Sequence, residues 1–181
     1  YEPPQPCFLG RKLLRDHDLA EIARYIDWSP FFQTWDLTGS YPKILEDPVV
    51  GEAARNVLSD GKAMLKTIIA GKWLTANAVF GLYRAASVGD DIEIEAGPPR
   101  AGTTLVWHCL RQQIERPGDR ANLCLADFVA PRDSGVEDYV GAFAVTAGVG
   151  VEARALAFEA KHDDYSAIML KALADRLAEG F

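Results

Sequence analysis

Asp27 stands between Ile26 and Trp28 in the stretch Tyr25 to Pro42, YIDWSPFFQTWDLTGSYP, which also holds Phe31, Phe32, Trp35 and Tyr41. A carboxylate against aromatic walls suits a cationic or amine-bearing ligand, which gains from both the charge and the ring faces. The same residues support a second reading. Trp28, Phe31, Phe32 and Trp35 recur at near-helical spacing and suit a core, with Asp27 or Ser29 capping a helix that carries Pro30 in its first turn. Residue types alone leave both readings open.

The remaining candidates for chemistry are weaker. Asp90 and Asp91 adjoin Gly89 at an expected strand entrance, and paired carboxylates can bind a metal or share a proton. Successive strand residues point to opposite faces, so the pair cannot converge on one ion while extended. His17, His108 and His162 are far apart and fall in no ligand spacing, which leaves a metal enzyme built on Asp90, Asp91 and His108 a remote third reading. Gly148 and Gly150 lack the third glycine of a dinucleotide loop, and no G-x-S-x-G elbow or phosphate loop occurs. Arg111, Gln112 and Gln113 could bind a polar ligand, although a network tying strand to loop explains three polar side chains in a row slightly better. Glu179, near the end of the last apolar stripe, reads by pattern as surface.

These residues must be positioned by a set of elements legible in the periodicity. Residues 1–10, with three prolines, read as a linker that begins to dock at Phe8 and Leu9. Asp16 or Asp18 can cap a short helix through Leu19, Ile22 and Tyr25 that delivers the chain to Asp27. Asp47–Pro48 opens a long amphipathic helix with Ala53, Val57, Met64, Leu65, Ile68 and Ile69 on its apolar face and Gly71 at its end. Strands are expected at 79–83, 92–95, 103–110 and 139–146, with turns at Gly97–Pro98–Pro99 and Pro117–Gly118–Asp119. Two helices close the chain, the second capped by Asp163 or Asp164 and striped by Tyr165, Ile168, Met169, Ala172, Leu173, Arg176 and Leu177. Helices, then strands, then helices imply an α+β fold: a mainly antiparallel twisted sheet covered by helices, in one domain over 11–181.

Composition narrows the function classes. With 181 residues and 49% hydrophobic content the chain can bury a proper core. A net charge of -7 with scattered cations argues against nucleic acid, and no apolar run approaches the roughly 20 residues of a membrane span. Cys7, Cys109 and Cys124 form no C-x-x-C pair, so reduced thiols in a cytoplasmic protein are expected, with neither a disulfide framework nor a cysteine metal site. Residue 1 is Tyr and Phe181 ends what reads as an unfinished helix, so the sequence reads as cut from something longer. Apolar surface left uncovered by that helix would favour self-association.

Taken in order, YEPP at 1–4, YIDWSPFF at 25–32, GSYP at 39–42, VGEAAR at 50–55, SVGDDIE at 87–93, LRQQ at 110–113, CLADFVAP at 124–131, DYVGAFAVT at 138–146 and DDYSAIMLKALADRLAE at 163–179 closely resemble the activation domain of cobalamin-dependent methionine synthase. The resemblance implies a module that binds S-adenosylmethionine and carries no catalytic nucleophile of its own, within a cytoplasmic methyltransferase whose cobalamin sits in a neighbouring domain. It implies that the module presents the methyl donor for reactivation of cob(II)alamin, with an electron from a flavodoxin or flavin reductase. It places the family's ligand-holding aspartate on Asp27 and a second carboxylate on Glu179. A docking module for the cobalamin domain and flavodoxin, without a ligand of its own, is the alternative.

Departures from the family pattern are informative as well. The family's R-P-x-x-G-Y-P motif and a later tyrosine, which complete the ligand shell, follow the ADRLAE helix and have no counterpart here; Arg116–Pro117 is not a substitute, because Gly118 and Asp119 break the pattern. YRAAS at 83–87 stands where the family has a Pro-Ala-Asn run. Gly180 replaces a small alanine, a change expected to loosen the helix by about 1 kcal/mol.

Overall fold

The computed structural model describes residues 2–97, 104–118 and 120–181. In chain order the elements are β1 (Gly10–His17), α1 (Leu19–Ile22) running into a 3-10 turn (Ala23–Tyr25), α2 (Ser29–Gln33), α3 (Gly51–Ala70), β2 (Thr75–Val88), β3 (Asp91–Glu95), β4 (Thr104–His108), β5 (Asp138–Val149), α4 (Val151–Glu159) and α5 (Asp164–Gly180). Short 3-10 turns at Lys43–Glu46, Leu125–Phe128 and Arg132–Ser134 interrupt the loops. The sheet runs β1-β2-β3-β4, with β5 also pairing β2. The β2–β3 and β3–β4 pairs are antiparallel, so the α+β architecture with an antiparallel sheet and helices is the observed one.

The chain divides into two compact units, residues 1–13 with 79–144 and residues 14–78 with 145–181, whose boundaries fall inside β1, β2 and β5. The second unit contains the helices and a core of Phe31, Phe32, Ile68, Leu170, Leu173 and Leu177, each fully buried. The first contains β3, β4 and a small cluster of Ala85, Ile92, Cys124 and Ala126.

Several elements differ from the sequence expectation for physical reasons. β1 was not anticipated, because GRKLLRDH is largely charged and most of its residues are exposed, which leaves no period-two apolar signal. β2 runs fourteen residues, well beyond the expected apolar core of the strand, since polar Arg84 and Ser87 continue the ladder to the hairpin at Gly89 (φ 62). On α3 the buried face is Ala54, Leu58, Leu65 and Ile68, whereas Ala53 is exposed and Val57 half-buried. Gly61 sets that phase: a Cβ there would stand 2.7 Å from the Phe31 ring, so the aromatic ring occupies the space of the missing side chain. On α5 the expected stripe holds at Met169, Ala172, Leu173 and Leu177, which are buried, and the face widens to Ala167, Leu170 and Ala174, while Tyr165 and Ile168 in the first turns are exposed. The expected strand at 103–110 is β4, Thr104–His108, with Thr103 outside the described residues, as are Pro98, Pro99 and Asp119 of the two expected turns.

Two caps follow the sequence: Asp18 accepts from the Ala20 amide at 2.9 Å and Asp163 from Ser166 at 3.0 Å. The long helix starts later than the expected Asp47–Pro48, at Gly51 with no side-chain cap, and Asp47 closes the turn ahead of it by accepting from Val49 and Val50 at 2.8 and 3.0 Å. The Val50 and Val49 amides hold the Asp47 carboxyl below its ordinary range.

Candidate functional site

The segment from α1 to the loop beyond α2 is built on aromatic packing. Phe31 and Phe32 are wholly buried, their rings 5.8 Å apart and near perpendicular. Trp28 packs edge-on against Phe31 at 5.2 Å, and Tyr41 lies roughly parallel to Phe32 at 6.4 Å. Trp35 packs on Tyr165 of α5 at 4.8 Å. The Tyr165 hydroxyl donates to Asp60 of α3 at 2.8 Å, and burial together with that carboxylate raises it to about 12, so it remains a donor at neutral pH. The two readings of the aromatic stretch therefore coexist: the phenylalanines are core, and Trp28 is a half-buried wall resting on them.

Asp27 precedes Trp28 in the chain and is exposed. Its Oδ1 accepts from the Ser29 amide at 2.8 Å, which opens α2 one residue ahead of Pro30. Among the described residues no donor reaches Oδ2. Ser29 in turn accepts from the Tyr41 amide through Oγ at 3.2 Å, tying the loop with the cis Tyr41–Pro42 bond to the start of α2. One short polar chain thus holds Asp27, α2 and the GSYP loop together. Sequence reasoning singled out Asp27 but missed Ser29 as the link, since a serine twelve residues from its partner carries no pattern of its own.

Glu179 reaches the same unit from α5. A Cβ on Gly180 would stand 3.3 Å from the Ile22 carbonyl oxygen and 3.4 Å from that of Tyr25, so the end of α5 lies against the backbone two residues ahead of Asp27. This explains Gly180: backbone approach that close is easiest without a side chain. Phe181 stacks on His17 at 5.0 Å and fastens the helix end to β1. The Glu179 side chain is 57% exposed, and its Oε2 pairs with Arg176, whose own side chain is only 11% exposed and which also meets Asp175 at 2.6 Å. Glu179 therefore neutralises a buried guanidinium as well as offering a carboxylate to solvent.

The other candidates resolve into structural networks. Arg111 forms a two-pronged pair with Asp127, both bonds 2.7 Å, and also donates to Asp90 at 2.6 Å and to the Asn122 carbonyl at 2.8 Å. Asp91, the first residue of β3, meets His108 Nδ1 at 3.0 Å, whereas Asp90 lies in the turn with Gly89 and engages Arg111, so the two carboxylates have different partners. Among the described residues no group of three or more His, Cys, Asp or Glu side chains is placed to hold a metal. Among the described residues no helix is long and apolar enough to cross a membrane.

Arg111 and the Cys124 amide hold the Asp127 carboxyl down at about 2, below its ordinary 3.8. A depressed carboxylate stabilises the fold above its unfolded value and loses that contribution as pH falls through the folded one. Asp127→Asn is therefore expected to be less stable than wild type at neutral pH, with the difference shrinking between about pH 4 and about pH 2. Urea unfolding of both proteins across that window checks this; a pH-independent difference would contradict it.

A family model for the vitamin B12 dependent methionine synthase activation domain matches residues 18–181. The chain belongs to that family. Its structure is also similar, at a TM-score of 0.92 and 52% sequence identity, to a solved MetH reactivation domain bound to AdoHcy. That match covers 100% of this chain and 55% of the solved one, so the activation-domain segment described here spans about half the length of that structure. Asp27, Ser29, Tyr41 and Glu179 all fall within the stretch that matches the activation-domain family.

Proposed function

We propose that this activation-domain segment binds S-adenosylmethionine through its positive end, with Asp27 as the principal charge partner and Glu179 as the second. The observation that carries the reading is the 52% identity, over the whole chain, to a reactivation domain bound to AdoHcy, the compound S-adenosylmethionine becomes once its methyl is given up. The site is chemically suited to such a ligand. Asp27 presents an oxygen without an internal donor beside the half-buried Trp28, and an α-amino or sulfonium group gains from a carboxylate next to a ring face.

In the parent methyltransferase a cobalamin held by a neighbouring domain would supply the metal centre that takes the methyl group. The residues of this segment bind and orient the donor, a contribution of proximity and alignment. Ser29 fixes the approach of Asp27, and the close seating of Gly180 fixes where Glu179 enters. Titration calorimetry with S-adenosylmethionine tests the proposal on two proteins, the 181-residue chain and a chain extended to the length of the solved structure. The extended chain is expected to bind tightly and the short one weakly, because this chain spans only 55% of the solved relative that is bound to AdoHcy. Absence of binding by the extended chain would overturn it.

A second reading, a docking face for the cobalamin domain and a flavodoxin or flavin reductase, draws on exposed apolar residues. All five residues of β4 are exposed, Leu105, Val106 and Trp107 among them, and Leu110 beyond it is 84% exposed. The same surface and, separately, the exposed Tyr165 and Ile168 of α5 are each also a basis for self-association. Pull-down by a flavodoxin that persists without S-adenosylmethionine would favour docking over ligand binding.

A further inference from the structure

Cys109 and Cys124 are remote in sequence, yet the fold brings them into one cluster. Arg111 holds the Asn122 carbonyl at 2.8 Å, the Gln112 amide donates to the Leu123 carbonyl at 2.9 Å, and Gln112 Oε1 accepts from the Leu123 amide at 3.2 Å. These bonds lay the segment after β4 beside the segment that enters the Leu125–Phe128 turn. Cys124, 3% exposed, is buried with Ala85, Ile92 and Ala126, and the half-buried Cys109 packs against that cluster. Both sulfurs thus sit in one small apolar cluster. Neither is held by a strong partner: Cys109 Sγ donates to the Trp107 carbonyl at 3.5 Å and Cys124 Sγ to that of Asp90 at 3.6 Å.

We infer that Cys109 and Cys124 are a peroxide-modifiable pair that closes to an intramolecular disulfide. The Cys109 sulfur attacks one oxygen of hydrogen peroxide; the O–O bond breaks, the thiol proton leaves with the departing oxygen as water, and a sulfenic acid remains. The Cys124 sulfur then attacks that sulfenic sulfur; the S–O bond breaks, a second water carries off the Cys124 proton, and the S–S bond forms. Two thiols lose two electrons in total and the two peroxide oxygens gain them. Burial, the neighbouring Cys124 and the Asp91 carboxylate push the Cys109 thiol up, so the step is slower than at a fully exposed thiol. Cys7 is exposed and is the competing site. Closure cross-links the segment from 110 to 123, which carries the Arg111 network.

The experiment is peroxide treatment of the 181-residue chain carrying Cys7→Ser, then unfolding in an alkylating reagent, intact mass and peptide mapping. The expected product is two hydrogens lighter, resists alkylation, yields a linked peptide containing Cys109 and Cys124, and reverts with dithiothreitol. A Cys7→Ser, Cys124→Ser protein is expected to stop at a sulfenic acid on Cys109 that dimedone captures. Two thiols that stay open to alkylation, oxygen added at Cys109 with no cross-link while Cys124 is present, or linkage only between chains would each overturn the inference.

Discussion

Asp27→Asn is expected to weaken S-adenosylmethionine binding by roughly 10- to 100-fold in a chain extended to the length of the solved relative, the effect of deleting one charge-assisted contact. The substitution isolates charge. Asparagine keeps an oxygen for the Ser29 amide, which Asp27 Oδ1 now accepts at 2.8 Å, so α2 can start in the same place. Asp27 is exposed, so the urea midpoint should move little. Calorimetry on the pair checks the first statement and denaturation the second. Equal affinities would remove Asp27 from the site. An equal loss of affinity and stability would make it structural.

Phe31→Ala is expected to have the largest effect on stability, about 3–5 kcal/mol. Phe31 is wholly buried, carries Trp28 against its face at 5.2 Å, and fills the space left by Gly61. Removing the ring leaves a cavity bordered on the α3 side by a residue that has no side chain to collapse into it. Trp28, next to Asp27, would lose the surface it rests on. Urea unfolding checks the prediction. A loss below about 1 kcal/mol would mean that the site rearranges around the void and that the aromatic stack does not hold the wall in place.

How much of this was legible in the sequence depends on whether the deciding interaction was local. Helix caps at Asp18 and Asp163 act over two or three residues and were readable from the sequence. The role of Phe31 was visible as helical spacing. The phase of α3 was not, because Gly61 is buried by a ring from another element and glycine carries no apolar signal. The same limit applies at the site. Asp27 announced itself through its aromatic neighbours, whereas the ties that fix its surroundings, Ser29 to Tyr41 and Gly180 to the backbone of Ile22 and Tyr25, join residues distant in sequence.

Arg111 shows the converse. Three polar residues after a strand suggested either a ligand or a network, and only the fold reveals Asp90 and Asp127 converging on one guanidinium. Charge at a strand end is ambiguous until its partners are placed. Cysteines behave alike: spacing alone argued for isolated thiols, yet the cluster around Ile92 joins two of them. Glu179 read as surface by pattern and is mostly exposed, but the buried Arg176 beneath it gives the carboxylate a structural duty that no periodicity conveys.

The most direct measurement is a crystal structure of the extended chain with S-adenosylmethionine bound. The account predicts the ligand's positively charged end within hydrogen-bonding distance of the Asp27 carboxylate and near Trp28, with Ser29 still donating to Oδ1. A ligand seated elsewhere, with Asp27 engaged only by its own backbone, would contradict it.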